Sequence, residues 1–152
     1  MFTAGHTFHE IFLHINWHCH RDQPQISPVV ERFLHEFIQN YCSNAKGVRF
    51  EKVGGTETHI HLAIQVEPSV LVSDFIGKVK GASSYEINKQ HGPNTLHWQR
   101  GYGVASFAKR NLPAVLKYIA EQKKHHQSGT TNEVLEEHGE SPEEGLQGRS
   151  NS

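Results

Sequence analysis

Two stretches of the chain alternate between faces with a period of two. From Phe8 to His18, the residues Ile11, Leu13, Ile15 and Trp17 interleave with Glu10, Phe12, His14 and Asn16. From His59 to Val66, Ile60, Leu62, Ile64 and Val66 take one face, and His59, His61, Ala63 and Gln65 the other. That period predicts half-buried strands. After the first, Ser27-Pro28 opens a helix, with Ser as cap and Pro in the first turn. Val30, Phe33, Leu34, Phe37, Ile38 and Tyr41 then follow helical spacing, and the helix ends near Ala45-Lys46-Gly47. Val48 to Val53 is a short strand, Gly54-Gly55 is a hairpin turn signal, and the His59 strand stops at Glu67-Pro68. A second helix begins after Ser69, carries Val72, Phe75, Ile76 and Val79, thins at Gly81-Ala-Ser-Ser and reaches about Lys89. Leu96 to Phe107 reads as a further strand, and Asn111 caps a last helix to about His126. The first six elements follow the split βαβ order of a ferredoxin-like antiparallel sheet, an α+β class with helices on one face. That architecture alone is silent on function.

Residues 127–152 are polar, rich in Ser, Gly and Glu, and nearly free of large apolar groups. They are expected to be a disordered acidic tail behind a single domain of residues 1–126. Charge is divided along the chain: residues 1–76 carry −3, residues 77–126 carry +7 and residues 127–152 carry −5. The net charge of −1 thus hides a basic segment, which fits either a phosphate-backbone partner or a solvated lysine-rich helix face. No apolar run is long enough to span a bilayer, no secretory signal is legible, and a cytoplasmic protein is expected. Cys19 and Cys42 have no zinc-type spacing and are expected to be reduced thiols.

The candidate chemistry sits at two places. His59 and His61 lie at i, i+2 on one strand face, roughly 6.6–7 Å apart at the backbone. Two rings so placed suit one divalent metal, or are simply a pair of exposed strand histidines. On the last helix the apolar stripe is Leu112, Val115, Leu116 and Ile119, and Tyr118 falls about 120° from its centre. Gln122 follows one turn later on Tyr118's side, and His125 projects there too. Tyr118 is either an edge-packed tyrosine or a group with chemistry to do. A second HxH, His18-Cys19-His20, ends the first strand and reads as an incidental exposed pair.

Four segments, taken together and in order, carry a family likeness. Thr58-His-Ile-His-Leu, Lys80-Gly-Ala-Ser-Ser, Trp98-Gln-Arg-Gly-Tyr-Gly-Val and Lys117-Tyr-Ile-Ala-Glu-Gln-Lys-Lys-His-His resemble the HUH single-tyrosine transposases. These comprise the insertion-sequence 200/605 group and the REP-associated tyrosine transposases, and the likeness runs over roughly residues 8–126. The resemblance implies an appended C-terminal catalytic helix and cleavage and rejoining of single-stranded DNA with hairpin ends. It implies Tyr118 as nucleophile, forming a covalent phosphotyrosine with the 5′ phosphate, and His59, His61 and Gln122 as ligands of Mg²⁺ or Mn²⁺. It also implies a homodimer in which each tyrosine helix serves the partner's histidine pair. Many relatives carry Asp immediately before the first histidine; this chain has Thr58 there, with Glu57 one step earlier. His125-His126 recurs in the family without an evident role.

Candidate DNA contacts are Lys78, Lys80, Ser83 and Ser84, which otherwise form a solvated helix end, and Arg100 and Tyr102, suited to stacking or pairing. Lys109, Arg110, Lys117, Lys123 and Lys124 are candidates for phosphate contacts. No Gly-rich GKS/T loop is present, as expected of a phosphotyrosine route that conserves bond energy. The competing readings are a replication initiator or relaxase with the same chemistry, and a catalytically silent relative that binds structured DNA.

Overall fold

A computed structural model describes residues 6–139. Strand β1 (Ile11–His18) lies beside β3 (His59–Val66), with β2 (Val48–Gly55) and β4 (Gly103–Phe107) at the edges, in the order β2-β3-β1-β4. All neighbours are antiparallel. Helices α1 (Pro28–Asn44) and α2 (Val72–His91) link the strands. This is the ferredoxin-like arrangement that the element order predicts.

The alternating pattern works as read. Ile15, Trp17, Ile60, Leu62 and Ile64 point to one face, where they pack with Leu34 and Ile38 of α1 and Ile76 and Ile87 of α2, all fully buried. Ser27 caps α1 by accepting from the Val30 amide. The other face carries Phe12, His14, Asn16, His59, His61, Ala63 and Gln65, and it too is covered. Helix α3 (Leu112–Ala120) lays Val115 and Ile119 on Ala63, with Leu116 and Phe107 alongside. The strand histidines therefore lie under a second layer instead of facing solvent.

Boundaries differ from the sequence pattern where tertiary bonds intervene. Gly54 and Gly55 end β2 as paired residues, and the turn is Thr56-Glu57-Thr58. Helix α2 runs unbroken through Gly81-Ala-Ser-Ser, whose serines donate back to the carbonyls of Lys80 and Gly81. The stretch from Leu96 joins β1 only through a bridge at Trp98 and Cys19. Lys80 Nζ binds the carbonyls of Gln99 and Gly101 at 2.9 and 2.8 Å, and Gly101 has φ 87°, so the ladder begins again only at Gly103. The last helix breaks at Glu121 (φ −105°, ψ 25°) into α3 and α4 (Gln122–Ser128). Within residues 127–139, Glu133–Glu136 form a turn of helix, α5; residues 140–152 of the expected tail lie outside the described residues.

Gly54 sets how close α3 approaches. A Cβ there would lie 2.3 Å from the Ile119 carbonyl oxygen. Gly54→Ala should therefore push α3 off β2 and cost about 1–3 kcal/mol by overpacking, read as a lower Tm. An unchanged Tm would mean that α3 docks without this contact.

Candidate active site

Strand β3 delivers His59 and His61 to the face beneath α3 and α4, where they are 2% and 0% exposed. Nδ1 of His59 lies 3.0 Å from Thr56 Oγ1 and 2.9 Å from Thr58 Oγ1, so hydroxyls orient this ring in place of a carboxylate. Nδ1 of His61 lies 2.7 Å from Nε2 of His14, a buried histidine of β1. Both rings thereby turn Nε2 the same way.

Several side chains converge on those nitrogens. His59 Nε2 donates to Gln122 Oε1 at 3.2 Å. His61 Nε2 donates to Glu136 Oε1 at 3.1 Å, and His59 Nε2 lies 3.5 Å from the same oxygen. His126 Nε2 lies 3.1 Å from Gln122 Oε1 and 3.2 Å from Glu136 Oε1. His59, His61, His126 and Glu136 form a group whose ligand atoms all lie within 4.8 Å of one another, a spacing that suits one metal ion.

Tyr118 points into this cluster. Its hydroxyl donates to Glu136 Oε2 and accepts from the Asn132 amide at 2.8 Å. Its ring meets His61 edge-on at 6.0 Å and stacks on His125 at 4.7 Å. A single carboxylate thus touches the phenol with one oxygen and the histidine pair with the other. Tyr118 reaches the histidines of its own chain, because α3 is docked on the same sheet that carries them.

The environment shapes each proton. Burial raises the Tyr118 phenol to about 12, with the Asn132 amide opposing and the Glu136 carboxylate reinforcing the rise. Burial alone would raise Glu136, but His59, His61 and the Tyr118 hydroxyl overcome it, leaving the carboxyl well below its ordinary range. Burial first, then His61, pushes His14 down to about 3, so His14 is neutral at physiological pH. His61 is likewise lowered by burial.

The model of the family described as "Transposase IS200 like" matches residues 7–122. The chain belongs to this IS200-like transposase family. It is 32% identical over 97 residues to the transposase for insertion sequence element IS200 of Salmonella typhimurium, and to that of Salmonella typhi, covering 60% of this chain. The chain spans 62% of the length of these relatives, less than two thirds. Among solved structures, a candidate transposase from Deinococcus radiodurans R1 superposes with a TM-score of 0.63 at 17% identity, over 80% of this chain and 98% of that one. A REP-associated tyrosine transposase bound to a REP hairpin superposes with a TM-score of 0.57 at 10% identity, over 86% of this chain and 76% of that one. At these identities the two structures establish the fold.

The family match stops at Gln122, so His126 and Glu136 lie beyond it. The pattern of residues had left His126 without a role and had placed Glu136 in the tail. The one local signal for the latter is Asn132, whose side chain caps Leu135. His18 is a second correction: it is not an exposed ring. It stacks between His59 at 4.6 Å and His138 at 3.7 Å and pairs with Asp22 at 2.6 Å. His18, Asp22 and His138 bring their ligand atoms within 4.8 Å of one another, a second spacing that could hold a metal ion. His20 is exposed as expected.

The basic candidates divide into structural and surface groups. Lys80 is tied to two carbonyls and lowered by burial to about 8; Ser83 is fully buried between the Lys80 carbonyl and Trp98 Nε1. Both hold the 98–101 segment in place. Ser84 bonds within its helix, and Tyr102 packs against the core. Lys78 pairs with Asp74 at 2.9 Å, Lys123 with Glu31 at 2.8 Å and Lys109 with Glu10 at 3.8 Å. Arg100, Arg110, Lys117 and Lys124 are exposed. Cys19 and Cys42 are buried free thiols, raised to about 12 by burial. Among the described residues no helix is long and apolar enough to cross a membrane.

Proposed function

We propose that this protein cleaves and rejoins single-stranded DNA with hairpin ends through a covalent phosphotyrosine at Tyr118. The observation that carries this reading is the Glu136 carboxylate, which contacts the Tyr118 hydroxyl and the His59–His61 pair at once. A phosphodiester has to meet the same two partners for a phenol to attack it beside a polarising centre. The hairpin seen with the REP-associated transposase supports the choice of substrate.

The donor set fits a divalent metal. Imidazoles, an amide oxygen and a carboxylate gather at one point, and no cysteine belongs to the group. His59, His61 and Gln122 are the ligands we assign, with His126 alongside, for Mg²⁺ or Mn²⁺. A cation held there supplies Lewis-acid polarisation of the scissile phosphate.

The chain's own residues do the rest. Tyr118 gives up its proton to solvent as its oxygen bonds to phosphorus. The bond from phosphorus to the 3′ oxygen breaks, and that oxygen takes up a proton as a free 3′ hydroxyl. The 5′ phosphate stays on Tyr118, and attack by a 3′ hydroxyl reverses the sequence without ATP. His125 stacks on the phenol and fixes its plane. Glu136 occupies the position that the phosphate has to enter, so DNA binding requires the 132–137 segment to move away. Arg110, Lys117 and Lys124 are the surface cations we assign to the DNA backbone, together with Arg100.

The test is incubation of the purified chain with Mn²⁺ and single-stranded DNA carrying the hairpins that flank its gene. The expected product is a protein–DNA adduct that resists denaturation. His59→Ala should lose the adduct and bind Mn²⁺ at least about tenfold more weakly. Undiminished adduct formation by His59→Ala would remove the histidine pair from the reaction.

A further inference from the structure

We propose that His14 is the positioning residue of the candidate metal centre, holding His61 with Nε2 forward through its own Nε2. This rests on the reading of His61 as a ligand. His14 is 1% exposed, and its Nε2 lies 2.7 Å from His61 Nδ1, with the two rings tilted by 43°. Burial of an imidazole on a sheet face is costly unless it is hydrogen-bonded. Its partner is another imidazole, held by the strand register. Asn16 stands directly opposite His61, and His14 stands one diagonal step away, opposite Ala63. The Asn16 amide is already committed to the carbonyls of Leu135 and Glu137 at 2.7 and 2.9 Å. That leaves His14 to take the second nitrogen of His61.

The chemistry of the partner matters. In this structure His61 Nε2 donates to Glu136, so its Nδ1 is the acceptor and His14 Nε2–H is the donor. With a cation held at Nε2 that atom would carry no proton, and a neutral His61 would carry its proton on Nδ1. It donates back to His14 Nε2, which has passed its proton across and gained another on Nδ1 from solvent. Each ring stays neutral in both states. A carboxylate accepts only, and would favour one of the two states. An imidazole supports both, as the hydroxyls of Thr56 and Thr58 do for His59. His61 is thus oriented by an imidazole and His59 by two hydroxyls, with no carboxylate at either Nδ1.

The experiment uses the full chain and two variants, His14→Leu and His14→Gln, with thermal melting to verify folding. Mn²⁺ affinity is measured by electron paramagnetic resonance, and the His61 tautomer by ¹⁵N NMR with saturating Mg²⁺. His14→Leu should weaken Mn²⁺ binding by about 10–100-fold. His14→Gln, whose amide both donates and accepts, should recover most of it. Wild-type His61 should carry its proton on Nδ1 when Mg²⁺ is bound. Wild-type affinity in His14→Leu, or no recovery in His14→Gln, would overturn the proposal. So would a wild-type His61 protonated on Nε2 under saturating Mg²⁺, an outcome independent of whether the variants fold. Wild-type Mn²⁺ affinity in His61→Ala would instead sink the metal reading itself.

Discussion

Tyr118→Phe should form no covalent adduct while binding hairpin DNA as the wild type does. Removal of an enzymic nucleophile costs on the order of 10⁵–10⁶ in rate, well below detection in a gel assay. The substitution removes one oxygen and leaves the ring free to keep its stack on His125 and its edge contact with His61. The folding cost should be small, because Asn132 is exposed and Glu136 keeps its contacts with His61 and His126 when the hydroxyl is gone. An adduct formed by the Phe variant would assign the nucleophile elsewhere. The same variant also tests which chain supplies the tyrosine. Mixed with His59→Ala, it should remain inactive if each Tyr118 serves its own histidines. Activity restored by mixing would mean that the tyrosine crosses between subunits.

Glu136→Ala should accelerate cleavage by on the order of tenfold and shift the pH profile of kcat/KM, which reports the unbound protein, to lower pH. The sign follows from the site. A carboxylate that accepts from the phenol and repels the phenolate raises the Tyr118 pKa, here to about 12 with burial as the larger cause. Without it the pKa falls, and each unit gives tenfold more phenolate at a fixed pH below it. The variant also clears the place that the phosphate must take. Gly103→Ala is an independent route to the same end. A Cβ at Gly103 would lie 1.7 Å from the Glu137 carbonyl oxygen, so the segment carrying Glu136 must lift while its carboxylate remains intact. Faster adduct formation in both variants supports occlusion by this segment. Slower cleavage by Glu136→Ala, with weaker Mn²⁺ binding, would make Glu136 a working ligand instead.

Much of this was legible in the residues. The alternation at 59–66 predicted β3 to the residue, because a strand buried on one apolar face records that burial with a strict period. Ser27-Pro28 marked the start of α1 for an equally local reason, a side-chain cap and a fixed φ. The last helix was less legible. Its apolar stripe placed α3, but nothing local announced the break at Glu121. The segment from Leu96 has strand-like composition and yet pairs only at Trp98, since an ammonium from α2 takes its carbonyls. Lys80 and Ser83 looked like DNA contacts for the same reason: a motif reports residue types and not the partners that use them.

Sequence alone determined the order of elements, the faces of β1 and β3, and the identity of His59, His61, Tyr118 and Gln122 as a set worth placing together. The first two are encoded in short-range period, and the set follows from the family resemblance of four motifs in order. Only the tertiary structure decided that the histidines are buried, that Tyr118 and the pair meet on one carboxylate, and that His14, His126 and Glu136 lie with them. Each of those depends on contacts between segments 47 to 77 residues apart, as His14 to His61 and His59 to Glu136 illustrate. No local pattern carries information over such separations; the packing of α3 on the sheet and the anchoring of residues 132–137 by Asn16 supply it.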